Sequence, residues 1–218
     1  MPRHFITGTE LSAGELQGLI ERALELKAAP YSSDVLLRRT VALIFQKPST
    51  RTRVSFETGI AELGGHAMIL RTDELQLSRG ESVRDTAYVL SRHAAAIGIR
   101  TGDENLVTEM AEHASVPVIN MLTPGHHPCQ ALADLMTLRE TFGRLEGLTL
   151  AYVGDGNNVA RSLVEVGAVA GEHDQAHGLD DPVQKLFGDA GRAVARSAGL
   201  RRGARSATRS RPLRGGLG

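Results

Sequence analysis

The chain has 218 residues, 25 basic against 25 acidic side chains and one cysteine, with 41% hydrophobic and 23% charged residues. That composition excludes a disulfide framework and wholesale disorder, and no run approaches the 18–20 apolar residues of a membrane-spanning helix. The net charge of zero is a sum of two unlike parts: Ala190–Gly218 holds eight arginines and no lysine or acidic residue, which leaves residues 1–189 at −8.

Ser12 with Glu15 forms a capping-box signature, and residues 12–29 read as a first helix. Leu16, Leu19, Ile20, Ala23 and Leu24 fall on one face, and Pro30 ends the element. Thr40–Phe45 is a short, continuous apolar run, as expected of a strand buried on both faces. Helical patterns then follow at Arg51–Leu63, Ser82–His93, Glu104–His113, Pro128–Thr141 and Asn157–Ala170. Strand patterns separate them at Ala67–Leu70, Ala95–Ile99, Pro117–Asn120 and Thr149–Val153. Alternation at this spacing predicts an α/β fold, a parallel sheet flanked by helices.

Parallel sheets bind ligands at the carboxyl ends of their strands. Four polar clusters are expected on that rim: Lys47–Arg53, Arg100, His126–Gln130 and Gly154–Asn158. In the first, Ser49-Thr50-Arg51-Thr52-Arg53 opens a helix behind a strand. Free amides, the helix dipole, hydroxyls and two guanidinium groups together suit phosphate. The plainer alternative is a Ser/Thr cap with solvated arginines. A Walker loop is excluded, because its glycines and Gly-Lys-Ser/Thr are missing. Gly154-Asp155-Gly156 only partly matches a dinucleotide fingerprint, since the third glycine position is Val159.

Three segments carry a specific resemblance. Phe45-Gln46-Lys47-Pro48-Ser49-Thr50-Arg51-Thr52-Arg53-Val54-Ser55-Phe56-Glu57, His127-Pro128-Cys129-Gln130 with Ala131-Leu132-Ala133-Asp134, and Gly154-Asp155-Gly156-Asn157-Asn158 stand in one order. They resemble the motifs of the aspartate and ornithine carbamoyltransferases. Cys129, Lys47, Gln76 and the Gly-Asp-Gly-Asn-Asn run resemble the ornithine branch, and Arg79 stands where the aspartate branch has lysine.

The resemblance implies transfer of the carbamoyl group of carbamoyl phosphate to the δ-amine of ornithine, giving citrulline and phosphate. It implies that Ser49, Thr50, Arg51 and Thr52 hold the phosphate, with Arg51 neutralising the leaving group. Arg100, His127 and Thr52 would face the carbonyl oxygen, and Gln130 the carbamoyl amide. Gln76 would reach a neighbouring subunit's site in a homotrimer, and Asn158 would bind ornithine. Arg51, Arg100, His127 and Gln130 are thus the expected catalytic set.

No metal and no cofactor are expected. Cys129 reads as a packing residue, although a helix start would lower its pKa. His126 reads as a surface residue. The expected compartment is the cytoplasm.

Domain boundaries follow from the same resemblance. Residues 1–146 form the expected carbamoyl-phosphate-binding domain, 147–171 the start of an ornithine-binding domain, and 172–218 a divergent, largely disordered tail. The similarity fades from about Val164. The family's later Asp-x-Trp and His-Cys-Leu-Pro segments are excluded by the absence of tryptophan and of a second cysteine. A frameshift or truncation after about residue 163 is the expected origin, and very low turnover the expected consequence. Two alternatives stand beside this reading. One is a carbamoyltransferase for aspartate, putrescine or acylornithine. The other is a non-catalytic fragment whose arginine tail binds nucleic acid, which the lack of aromatic residues between those arginines argues against.

Overall fold

The computed structural model describes residues 2–171. Its order is α1 (Ala13–Ala28), β1 (Thr40–Phe45), α2 (Arg51–Glu62), β2 (His66–Arg71), α3 (Val83–His93), β3 (Ala96–Arg100), α4 (Glu104–His113), β4 (Val118–Leu122), α5 (Pro128–Phe142) and α6 (Asn158–Ala170). Two short 3-10 turns, Thr72–Glu74 and Gln76–Arg79, join β2 to α3. The sheet is parallel throughout, in the order β2-β1-β3-β4. The tail expected beyond residue 171 lies outside the described residues.

Strand periodicity explains the layering. Ala42 and Ile44 of β1 point to one face, with Ile97 and Ile99 of β3, where Ala87 and Leu90 of α3 and Val107 and Met110 of α4 cover them. Val41, Leu43 and Phe45 point to the other, against Ile60 of α2 and Met121 of β4. A third cluster joins Leu16 and Ile20 of α1 to Ala131 and Leu135 of α5 and Val166 of α6. Leu19, expected on the buried face of α1, is exposed instead.

The Ser12 capping box forms as expected: the Glu15 amide donates to Ser12 Oγ at 3.4 Å and the Ser12 amide to Glu15 Oε2 at 2.9 Å. The open edge of β4 is covered by Phe5, whose amide donates to the Val118 carbonyl and whose carbonyl accepts from the Asn120 amide, both at 2.8 Å.

One expected strand is not there. Thr149–Val153 is irregular, and its Leu150 and Val153 side chains are exposed. An apolar run becomes a strand only beside a partner that takes its backbone hydrogen bonds. Among the described residues no strand pairs with it.

Candidate active site

The carboxyl ends of β1, β3 and β4 open into one cleft of about 790 Å³. Ser49, Thr50, Arg51 and Thr52 line it from the start of α2, Arg100 from the end of β3, and His127 and Gln130 from the start of α5. Seven of the nine residues predicted from sequence therefore meet in one place.

The α2 N-terminus is the electropositive end of that cleft. Thr50 is its N-cap residue, yet no side chain caps it. The cap hydrogen bond of the plainer reading is thus absent, while Arg51 and Arg53 are exposed as that reading has them. Arg100 Nη1 donates to Thr52 Oγ1 at 2.8 Å, while its Nε is buried without a partner among the described residues. Burial, with the Arg51 guanidinium adding to it, pushes Arg100 below its ordinary value. Arginine stays charged regardless. Two cations sharing a cleft are a standing invitation to a multiply charged anion. The second guanidinium expected from the motif, Arg53, instead turns along its own helix to Glu57, 3.3 Å away; Arg100 takes its place.

His127 sits at the N-cap position of α5 with Pro128 behind it. Burial pushes its imidazole below the ordinary range, Arg100 adds to the effect, and Asp134 opposes it. Its Nδ1 is buried and makes no hydrogen bond among the described residues. A pH titration followed by NMR should place His127 below the ordinary value of about 6.5, and Arg100→Met should raise it. The neutral form is favoured in the fold, so its contribution is full above about pH 6.5 and is lost as pH falls through the depressed value. A His127 titrating above its ordinary value would contradict this electrostatic picture.

Gln130 Nε2 donates to Asp134 Oδ1 at 3.0 Å on the cleft rim. Cys129 also lines the cleft, and burial pushes its thiol up to about 12. Desolvation thus overrides the helix-start effect expected from sequence, and the thiol is no nucleophile at neutral pH.

Asn158 lies apart, in a smaller hollow of about 180 Å³ shared with Lys47 and Arg100. Its Nδ2 donates to the Thr123 carbonyl at 2.8 Å. Gln76 lines neither hollow.

His126, expected on the surface, is half-enclosed by two carboxylates. It is not on the surface: its side chain is only 12% exposed. Its Nδ1 lies 2.9 Å from Glu104 Oε1 and its Nε2 3.3 Å from Glu165 Oε2. Burial pushes the Glu104 carboxyl up, but hydrogen bonds from His126 and Thr123 and the charge of His126 outweigh it and hold the carboxyl below its ordinary value.

Among the described residues no group of three or more His, Cys, Asp or Glu could hold a metal ion. Nor is any helix there long and apolar enough to cross a membrane.

Residues 3–140 match the family described as aspartate/ornithine carbamoyltransferase, carbamoyl-P binding domain. The chain belongs to that carbamoyltransferase family. The ornithine carbamoyltransferase of Parafrankia sp. is 54% identical over 173 residues, which cover 78% of this chain and 55% of that protein. That of Acidothermus cellulolyticus is 52% identical over 174 residues, covering 79% and 56%. This carbamoyltransferase chain thus spans about half the length of the curated relatives it matches. The solved ornithine carbamoyltransferase of Pyrococcus furiosus superposes with a TM-score of 0.75 at 43% identity, covering 87% of this chain and 64% of that one. The Thermus thermophilus enzyme gives 0.76 at 39% identity, covering 86% and 67%.

Proposed function

We propose that the chain binds carbamoyl phosphate in the cleft between α2, β3 and α5 and belongs to an enzyme that carbamoylates the δ-amine of ornithine. One observation carries the reading: Arg51, Arg100, His127 and Gln130 converge beside a helix start that no side chain caps. A phosphate placed against the α2 amides would meet Ser49, Thr50, Thr52 and Arg51. The carbonyl oxygen would then face Arg100, Thr52 and His127, and Gln130 would accept from the carbamoyl amide.

The chemistry follows from that placement. The amine lone pair attacks the carbonyl carbon, a C–N bond forms, and negative charge gathers on the carbonyl oxygen. Arg100, Thr52 and the neutral imidazole of His127 stabilise that charge as an oxyanion hole does. The C–O bond to phosphate breaks, phosphate leaves with its charge met by Arg51, and the nitrogen releases a proton. No enzyme nucleophile is needed, in keeping with the raised Cys129 thiol. Asn158 is proposed for the ornithine side of the site, with its Oδ1 rather than its engaged Nδ2.

Gln76 is proposed to act on a neighbouring subunit's cleft in a homotrimer, and cytoplasm is the proposed compartment. The ornithine branch is supported by the relatives that match. A citrulline assay with carbamoyl phosphate, offering ornithine or aspartate as amine, tests it. Product from ornithine alone is expected. Carbamoylaspartate as the sole product would overturn the ornithine assignment.

A further inference from the structure

The loop between β4 and α5, residues 123–127, carries His127 into the cleft. Its near side is tied to the sheet. The Thr123 amide donates to the His126 carbonyl at 2.9 Å, and Asn120 Nδ2 donates to Thr123 Oγ1 at 3.2 Å. Its far side is gripped by one stripe of α6. Asn158, Ser162 and Glu165 stand at i, i+4 and i+7, which places them on a single helical face. Asn158 Nδ2 donates to the Thr123 carbonyl at 2.8 Å. Ser162 Oγ accepts from the His127 amide at 2.8 Å. Glu165 Oε2 lies 3.3 Å from His126 Nε2, a close approach without a hydrogen bond.

Ser162 is fully buried. A hydroxyl with no access to water in the middle of a helix is retained at a cost unless it has a partner. Its partner is the backbone of the residue whose ring enters the cleft. The amide of an N-cap residue has no acceptor within its own helix, and α5 supplies none to His127. Ser162 supplies it from a different element, 35 positions away.

We propose that Ser162 is a positioning residue for His127, setting the depth and angle at which the imidazole meets the carbamoyl carbonyl. The proposal rests on the carbamoyl-phosphate reading above. It also gives the α6 segment a part in the first substrate's site, distinct from any contact with the amine.

The test uses the full 218-residue chain and two probes, carbamoyl phosphate and inorganic phosphate, titrated calorimetrically. Only the first has a carbonyl for His127 to meet. Ser162→Ala is expected to lower carbamoyl-phosphate affinity about 10-fold, as loss of about 1.4 kcal/mol does, and to leave phosphate affinity unchanged. In a His127→Ala background, Ser162→Ala is expected to add no further loss, because it acts through His127. Three results would overturn the proposal: no loss of carbamoyl-phosphate affinity in Ser162→Ala, equal losses for both probes, or a loss that persists without His127. If His127→Ala itself leaves carbamoyl-phosphate affinity intact, the site reading fails along with the proposal, and the two failures are told apart. Should Ser162→Ala not fold, Ser162→Cys, of similar volume and weak acceptor strength, carries the same comparison.

Discussion

Arg100→Met is expected to weaken carbamoyl-phosphate binding by about 100-fold or more, close to 2.7 kcal/mol. The side chain reaches the cleft from the end of the central strand β3, with Nη1 fixed on Thr52 and Nε buried without a partner among the described residues. It is thus partly desolvated and already oriented before a ligand arrives. Charge-assisted hydrogen bonds from such a donor are about twice as strong as neutral ones. Methionine keeps the stem volume but leaves Arg51 as the one arginine lining the cleft among the described residues. The same substitution removes the cation that helps depress His127. Affinity and the His127 titration should therefore move together. A variant that loses neither, measured by calorimetry and NMR, would show that the Arg100–Thr52–His127 group is not the ligand's cradle.

Leu43→Ala is expected to cost about 3 kcal/mol of stability and roughly 10 °C in melting temperature. Leu43 is 1% exposed at the middle of β1, and directly beside it on β3 is Gly98. A Cβ on Gly98 would come within 2.8 Å of Leu43 Cδ2 and 3.0 Å of Met121 Sδ. The leucine therefore occupies the space that glycine leaves open. With both strands held by the ladder, neither can close over the hole. Gly98→Ala alone should destabilise by overpacking, by about 1–3 kcal/mol. Combined with Leu43→Ala it should recover part of the loss. Thermal unfolding of the four forms checks this, and simple additivity would contradict the packing account.

Much of the fold was legible because its signals are local. The Ser12–Glu15 box, the apolar Thr40–Phe45 run and Pro128 at a helix start each depend on neighbours within a turn or a strand length. The cleft was legible for a related reason: parallel strands place whatever follows them on one rim, so the Ser49–Thr52, Arg100 and His127–Gln130 segments had to meet.

The features that the sequence leaves hidden are non-local. His126 looked like a surface residue because its partners, Glu104 and Glu165, stand far away in the chain. Ser162 had no motif around it; its signal was the 158, 162, 165 spacing, meaningful only once the loop it faces is known. Arg53 satisfied the basic pattern but found Glu57 one turn on. Thr149–Val153 had a strand's composition without a strand beside it. The remaining differences, a residue or two at each element's end, are ordinary fraying.

Calorimetric titration of the 218-residue chain with carbamoyl phosphate, alongside Arg51→Ala and Arg100→Met, tests the central claim most directly. Saturable binding at one site per chain is expected, and both substitutions should abolish it or cut it by about 100-fold. Binding that survives both substitutions, or no saturable binding in the unaltered chain, would contradict it.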